Sequence, residues 1–433
     1  MNKIVAIRAA ILDLIDDPNK VGEDAIRYFE DGLLLIENGK VKAFDTAEKL
    51  LDQIPAGINI QHYENHLIIP GMIDTHIHFP QMEMIAAYGE QLLTWLTAYT
   101  FPTEKQFSCE NYGQEMSKLF IDELLRNGTT TALVFGTVHP ESVEEFFTES
   151  QKRNLRMIAG RVMMDRNCPE DLQDSPEHAY TECKALIEKW HGVGRLQYAV
   201  TPRFAPTSSP EQLESARKLL EEYPSVYMHT HLSENIDECA WVKELYPDSK
   251  DYLGVYEDAG LVRKRSVFAH GIHLSERELN CMHDNNAAIA HCPTSNLFIG
   301  SGLFNLKKCE EHNVHVGMGT DVGAGTSFSL LQTYNEAYKV QQLQGNSLSA
   351  FKGLYLNTLG GARALDLEGT IGNFNIGCEA DFVVLNKAAT PLLQLRLENA
   401  RDLHDLLFGF MMLADDRAIE KTYIMGEVAH SIH

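Results

Sequence analysis

The chain has 433 residues, 44% hydrophobic and 23% charged, a balance suited to a soluble globular protein with a large core and an accessory unit. Its net charge of -24 opposes binding to nucleic-acid phosphates or to an anionic membrane surface. No stretch approaches the apolar length needed to span a bilayer.

In chain order, the N-terminal "MNKIVAIRAAILDLIDD" carries a short apolar run followed by acids. It lacks a small-residue cleavage site, so no signal peptide is expected. "DGLLLIENGKVKAF" at 31–44 reads as a hairpin closed by Asn38-Gly39. From about residue 70 the rhythm changes, and short β-rich runs alternate with longer amphipathic segments. The runs lie at 66–78, 129–135, 156–164, 195–204, 225–231, 266–271, 287–292 and 314–321. Helices are predicted between them: 109–128 ends in Asn127-Gly128, and 209–224 opens on Ser209-Pro210 and closes at Pro224. Eight strands alternating with helices predict an α/β fold, a closed (β/α)8 TIM barrel over 67–369. The Gly-punctuated β runs at 369–386 pair with the N-terminal segment. Residues 1–66 plus 370–433 are therefore expected to form a small β-sandwich domain.

The eight cysteines, Cys109, Cys168, Cys183, Cys239, Cys281, Cys292, Cys309 and Cys378, form no C-x-x-C pair. They read as reduced, mostly buried thiols in a cytoplasmic protein.

The histidines gain meaning from this frame, because barrel enzymes carry their chemistry at the C-terminal ends of the strands. His76 and His78 end the first run, and residues two apart on a strand share a face. His231 ends the fifth run, His270 the sixth and Asp321 the eighth. Imidazoles and a carboxylate converging there suit a divalent metal, zinc by default, with ferrous iron suited to similar ligands. An H-x-H pair alone also fits hydrogen-bonded core histidines, but polar groups at so many strand ends point to a metal. His229 shares a face with His231, and spacing alone does not choose between them. His273 and His291 read as hydrogen-bonding or lining residues, and "AHCPTSN" at 290–296 ends the seventh run at the site mouth. Cys292 has no His/Asn relay and reads as a small buried residue.

"PGMIDTHIH", "HTHLSE", "AHGIHLS", "GMGTDVGAGTS" and "GCEADFVVL" together resemble the metal-dependent amidohydrolase superfamily across essentially the whole chain. Within it, "HIHFPQ" at 76–81, "TPRFAPTSS" at 201–209 and "HLSENIDE" at 231–238 are similar to the guanine deaminases. The resemblance implies His76, His78, His231 and Asp321 as metal ligands and Glu234 as the proton-shuttling acid. It implies His270 as a group facing the attacking water, favouring His231 over His229, which becomes its supporting partner. The carboxylated lysine that bridges two metals in other branches has no counterpart in "AVTPRFA" at strand 4, so one metal per chain is implied.

The implied reaction is hydrolysis of guanine at C2 to xanthine and ammonia, in purine catabolism. Glu234, His270 and Asp321 would be catalytic. Arg203 would donate to O6 and Gln81 would read the purine edge. Phe204 would pack on the ring or supply a backbone contact, with His78 and His231 also bordering the base. Arg203 also fits a rim salt bridge and Phe204 ordinary core packing. The resemblance implies a homodimer. The smaller zinc deaminases use H-x-E with P-C-x-x-C; the chain has H-x-E at 62–64 and 139–141 but no P-C-x-x-C. Two rivals stand beside guanine: another aminated heterocycle (a modified guanine, cytosine or a triazine), and a non-catalytic scaffold on the same barrel.

Overall fold

Alternating apolar side chains dominate the N-terminal segment, and they form strands. The computed structural model describes residues 3–88, 91–109 and 111–432. The first strands are β1 (Ile4–Leu14), β2 (Ile26–Glu37), β3 (Lys40–Thr46) and β4 (Ile60–Pro70). Asn38 and Gly39 both take positive φ and turn β2 into β3.

The next nine strands are β5 (Met72–His78), β6 (Thr129–Phe135), β7 (Arg156–Gly160), β8 (Val162–Met163), β9 (Gln197–Pro202), β10 (Tyr227–Leu232), β11 (Ser266–His270), β12 (Ala288–His291) and β13 (His315–Met318). Eight run parallel in the order β5-β6-β7-β9-β10-β11-β12-β13, with the two-residue β8 on β9. Backbone hydrogen bonds from Asp321 to the His76 carbonyl and from His78 to the Val322 carbonyl, each 2.9 Å, join the last strand's loop to the first strand. The barrel closes through them.

The chain ends with β14 (Phe382–Asn386), β15 (Ile419–Ile424) and β16 (Glu427–Ser431). They join the N-terminal strands in one hydrogen-bonded sheet, order β16-β15-β14-β4-β1-β2-β3. Ile7, Ile11, Leu34, Ile68 and Phe382 pack together on one side of it. Leu12, Leu67, Ile69 and Leu385 belong to the large core that also holds the barrel and its helices.

Helices cover the outside of the barrel, and their starts follow local rules. Ser209 accepts from the Gln212 amide and Pro210 opens the helix Pro210–Glu222. The interior is filled from the N-terminal end of the strands. Ile73, Leu133, Ile158, Ala199, Tyr227 and Val267, one from each successive strand, pack against Ala362, Leu365 and Ile371. That apolar plug leaves the opposite end of the barrel for polar groups.

Several expected elements change. The run at 66–78 divides at Gly71: β4 belongs to the small sheet and β5 to the barrel, because Pro70 has no N–H to continue a central ladder. The eighth strand ends at Met318, so Asp321 sits in the following loop. The C-terminal segment carries helices Pro391–Glu398 and Leu403–Leu413 as well as strands. The described residues at 79–84 and 92–108, for which the sequence offered no strand or long helix, form short helical turns.

Candidate active site and metal centre

Plain alternation does not bring the site together. In β5, Ile73 points into the lumen, and strict alternation would turn His76 and His78 outward. A register shift between Asp74 and Ile77 changes the phase, so Ile77 joins the outer core and both imidazoles face inward. Asp74 supports the shift: its carboxylate accepts from the His76 amide (3.1 Å), the Thr320 amide (3.1 Å) and the Thr320 hydroxyl (2.5 Å). His270 follows an inward Val267 and an outward Phe268, and it enters the site through a left-handed backbone, φ 71°. Asp321 does the same at φ 52°. Such conformations cost on the order of 1–3 kcal/mol each and gather at functional sites.

The result is a tight polar cluster. His76 Nε2 and His78 Nε2 lie 3.1 and 3.2 Å from Asp321 Oδ1, and His78 Nε2 is 3.1 Å from His231 Nε2. The ligand atoms of His76, His231, His270 and Asp321 all lie within 4.8 Å of one another. His270 Nε2 is 3.3 Å from Glu234 Oε2 and 3.8 Å from Asp321 Oδ2.

Outer partners settle the protons. His76 Nδ1 meets His229 Nε2 at 2.8 Å, His231 Nδ1 meets the Arg203 carbonyl at 2.7 Å, and His270 Nδ1 meets Asn296 Oδ1 at 2.8 Å. With each Nδ1–H donated outward, each Nε2 turns a lone pair to the centre. Burial lowers the His76 and His231 pKa values and pushes His78 to about 3, so these imidazoles are neutral. Asp321 brings a carboxylate oxygen to the same point. Neutral lone pairs and a carboxylate oxygen crowded to about 3 Å repel one another unless a cation lies among them. Buried His76 Nε2 has no hydrogen-bond partner among the described residues. The donor set therefore fits a divalent metal ion.

A cavity opens beside the cluster. His78, His231, Glu234, His270 and Asp321 form its polar end, Gln81, Arg203 and Phe204 one wall, and Leu92, Trp95, Leu96 and Ile299 an apolar cover. Glu234 is buried. Its Oε1 accepts from the Ser301 hydroxyl at 3.2 Å, and its amide donates to Glu238 Oε2 at 2.9 Å. Burial, with the Glu238 and Asp321 carboxylates nearby, pushes the Glu234 carboxyl well above the usual range.

Every residue anticipated for the site lines its cavity except His76, which stands behind the lining in the cluster. His229 supports His76 from the next layer. His273 donates to the Ser301 carbonyl, and His291 stacks on Phe304 with ring centroids 4.3 Å apart. Arg203 departs from the rim alternative: it is buried against Glu104. Glu104, Ser301 and Trp95 carried no signal in the sequence, because each reaches the site from a connecting segment whose path only the fold sets.

Comparison with known proteins agrees with this architecture. Residues 67–429 match the model of the Amidohydrolase family. The guanine deaminase of Escherichia coli K12 is 56% identical over 428 residues, spanning 98% of this chain and 97% of that protein. The solved E. coli guanine deaminase superposes with a TM-score of 0.97 over 99% of this chain and 100% of its own. A guanine deaminase structure from C. acetobutylicum, with guanine bound in the active site, is 30% identical. It superposes with a TM-score of 0.89 over 98% of this chain and 100% of its own. A barrel plugged at one end, a histidine–aspartate cluster at the other and a family match over most of the length lead to one conclusion: the chain belongs to the amidohydrolase family.

Proposed function

We infer that this chain deaminates guanine, converting guanine and water to xanthine and ammonia. The 56% identity to a guanine deaminase over 98% of the chain carries the reading, and the cavity chemistry supports it. The cofactor in this proposal is one divalent ion, taken as zinc, with ferrous iron the alternative on the same ligands. A cation held there lowers the pKa of a water to about 7 and so supplies a nucleophile at neutral pH.

The ligands proposed are His76, His78, His231 and Asp321, with His270 hydrogen-bonding the attacking oxygen as charge develops. The mutual spacing of His76, His231, His270 and Asp321 favours a second reading in which His270 replaces His78. Metal content of His78→Ala and His270→Ala separates the two.

Glu234 does the proton work. Burial raises its pKa, which suits a carboxyl that donates to ring N3 as C2 becomes tetrahedral. The same carboxylate then takes one proton of the water and hands it to the departing amine, and the second, released as C2=O forms, restores the acid. The C2–O bond forms and the C2–N bond breaks with no redox change. Asp321 orients the attacking water. Arg203 donates to O6, Gln81 meets the purine edge, Phe204 packs on the ring, and His78 and His231 border the base. The resemblance also suggests a homodimer working in the cytoplasm in purine breakdown. No helix among the described residues is long and apolar enough to cross a membrane.

The test is guanine consumption by metal-replete protein, followed by ultraviolet absorbance with xanthine and ammonia identified. Glu234→Gln runs beside it. The expected result is turnover by the wild type and a loss of about 10²–10⁴-fold in the variant with metal retained. Metal-loaded protein that ignores guanine but turns over cytosine or a triazine would sink the assignment.

A further inference from the structure

The group that reads O6 in the proposed function is not free-standing. Arg203 lies at the end of β9, and both its terminal nitrogens point at Glu104. Nη1 donates to Glu104 Oε1 and Oε2 at 3.0 and 2.8 Å, and Nη2 to Oε1 at 3.0 Å. The two side chains are 3% and 1% exposed, so this ion pair is shielded from water and salt. Phe101 covers the guanidinium face, with its ring centroid 5.4 Å from Cζ. Gln81 is tied in as well, since its Nε2 donates to the same Glu104 Oε1 at 3.2 Å. Both polar groups of the purine-facing wall thus converge on one carboxylate, and Glu104 is absent from the cavity lining.

We propose that Glu104 is a positioning residue that sets base specificity by holding Arg203, with Gln81, in the orientation that reads a 6-oxo purine. The inference rests on the guanine reading. Arg203 has five N–H donors, and Glu104 engages only the two terminal nitrogens, so N–H groups remain to meet a carbonyl. The carboxylate also cancels a charge that would otherwise sit unpaired in a buried wall facing a neutral base. Without Glu104 the guanidinium turns toward other acceptors, and O6 loses its donor.

The test compares kcat/KM on guanine and on 2-aminopurine, which lacks O6, for wild type, Glu104→Gln, Arg203→Met and the double variant. Loss of a charge-assisted hydrogen bond corresponds to about 10- to 100-fold. Glu104→Gln is expected to lose that much on guanine and less than about 3-fold on 2-aminopurine. The double variant, which leaves no unpaired buried charge, is expected to match Arg203→Met, because Glu104 has nothing left to position. Equal losses on both substrates, or losses that add in the double variant, would overturn the proposal while wild-type turnover of guanine stood. A wild type inert toward guanine would overturn both the proposal and the reading beneath it.

Discussion

His229 is absent from the cavity lining, yet its Nε2 lies 2.8 Å from His76 Nδ1. A proton donated there from His76 Nδ1 would leave the Nε2 lone pair facing the cluster. Outer partners of this kind typically account for 10- to 100-fold in metal affinity, so His229→Ala should weaken metal binding by about that factor. Competition with a chelator measures it, and an unchanged circular dichroism spectrum would locate the effect at the site. An unchanged affinity would remove His229 from the account. Glu234 differs in kind. Its behaviour follows from burial beside two other carboxylates, and its substitution should leave metal content intact while turnover falls.

The loop after β13 delivers Asp321, and its shape depends on one small residue. A Cβ on Gly325 would lie 1.8 Å from the Thr320 carbonyl oxygen, next to the Gly325 amide's 2.6 Å bond to the Asp321 carbonyl. Gly325→Ala must therefore move the backbone that carries the carboxylate. The expected outcome is a chain destabilised by about 1–3 kcal/mol, with metal content and turnover falling together. Urea unfolding and metal analysis on one preparation check this. Normal metal content would show that the loop tolerates the shift. The first strand makes the same point: its irregularity at Asp74–Ile77, not its hydrophobic pattern, aims the two histidines.

The small sheet and the barrel are joined at the N-terminal end of the barrel strands by buried charge. Glu379 accepts from Arg156 at 2.8 and 2.5 Å and from Arg195 at 2.7 Å, and Arg195 also reaches Asp381 at 2.7 Å. Burial would raise the Glu379 carboxyl, but hydrogen bonds from Arg156 and the charge of Arg195 hold it below its ordinary value. A carboxyl depressed in the folded state stabilises fully above its unfolded pKa, about 4.3 for glutamate. That contribution fades as pH falls through the folded value. Glu379→Gln should thus cost about 3–5 kcal/mol at pH 7, and the gap to wild type should narrow below about pH 4. Denaturant unfolding across that pH range measures both, and a gap independent of pH would rule out the ionised pair as its source.

The alternation of β runs with amphipathic helices determined the barrel, because eight buried parallel strands need helices between them and leave that rhythm in the residues. The motifs around His76, His78, His231, His270 and Asp321 were legible for a related reason: a polar cluster that could hold a metal needs particular residue types at or just past the strand ends. Gln81, Arg203, Phe204 and Glu234 were legible through the short motifs that surround them. What only the tertiary structure decided were features with no local signature. These include the phase shift that turns His76 inward, the left-handed backbones at His270 and Asp321, and the division of one apolar run between two sheets. Glu104 is the sharpest case. It lies 99 residues before Arg203, in a segment without periodicity, and nothing local marks it as that residue's partner. An ion pair between distant segments costs only a contact in the folded chain, so it imposes no spacing that a sequence could display.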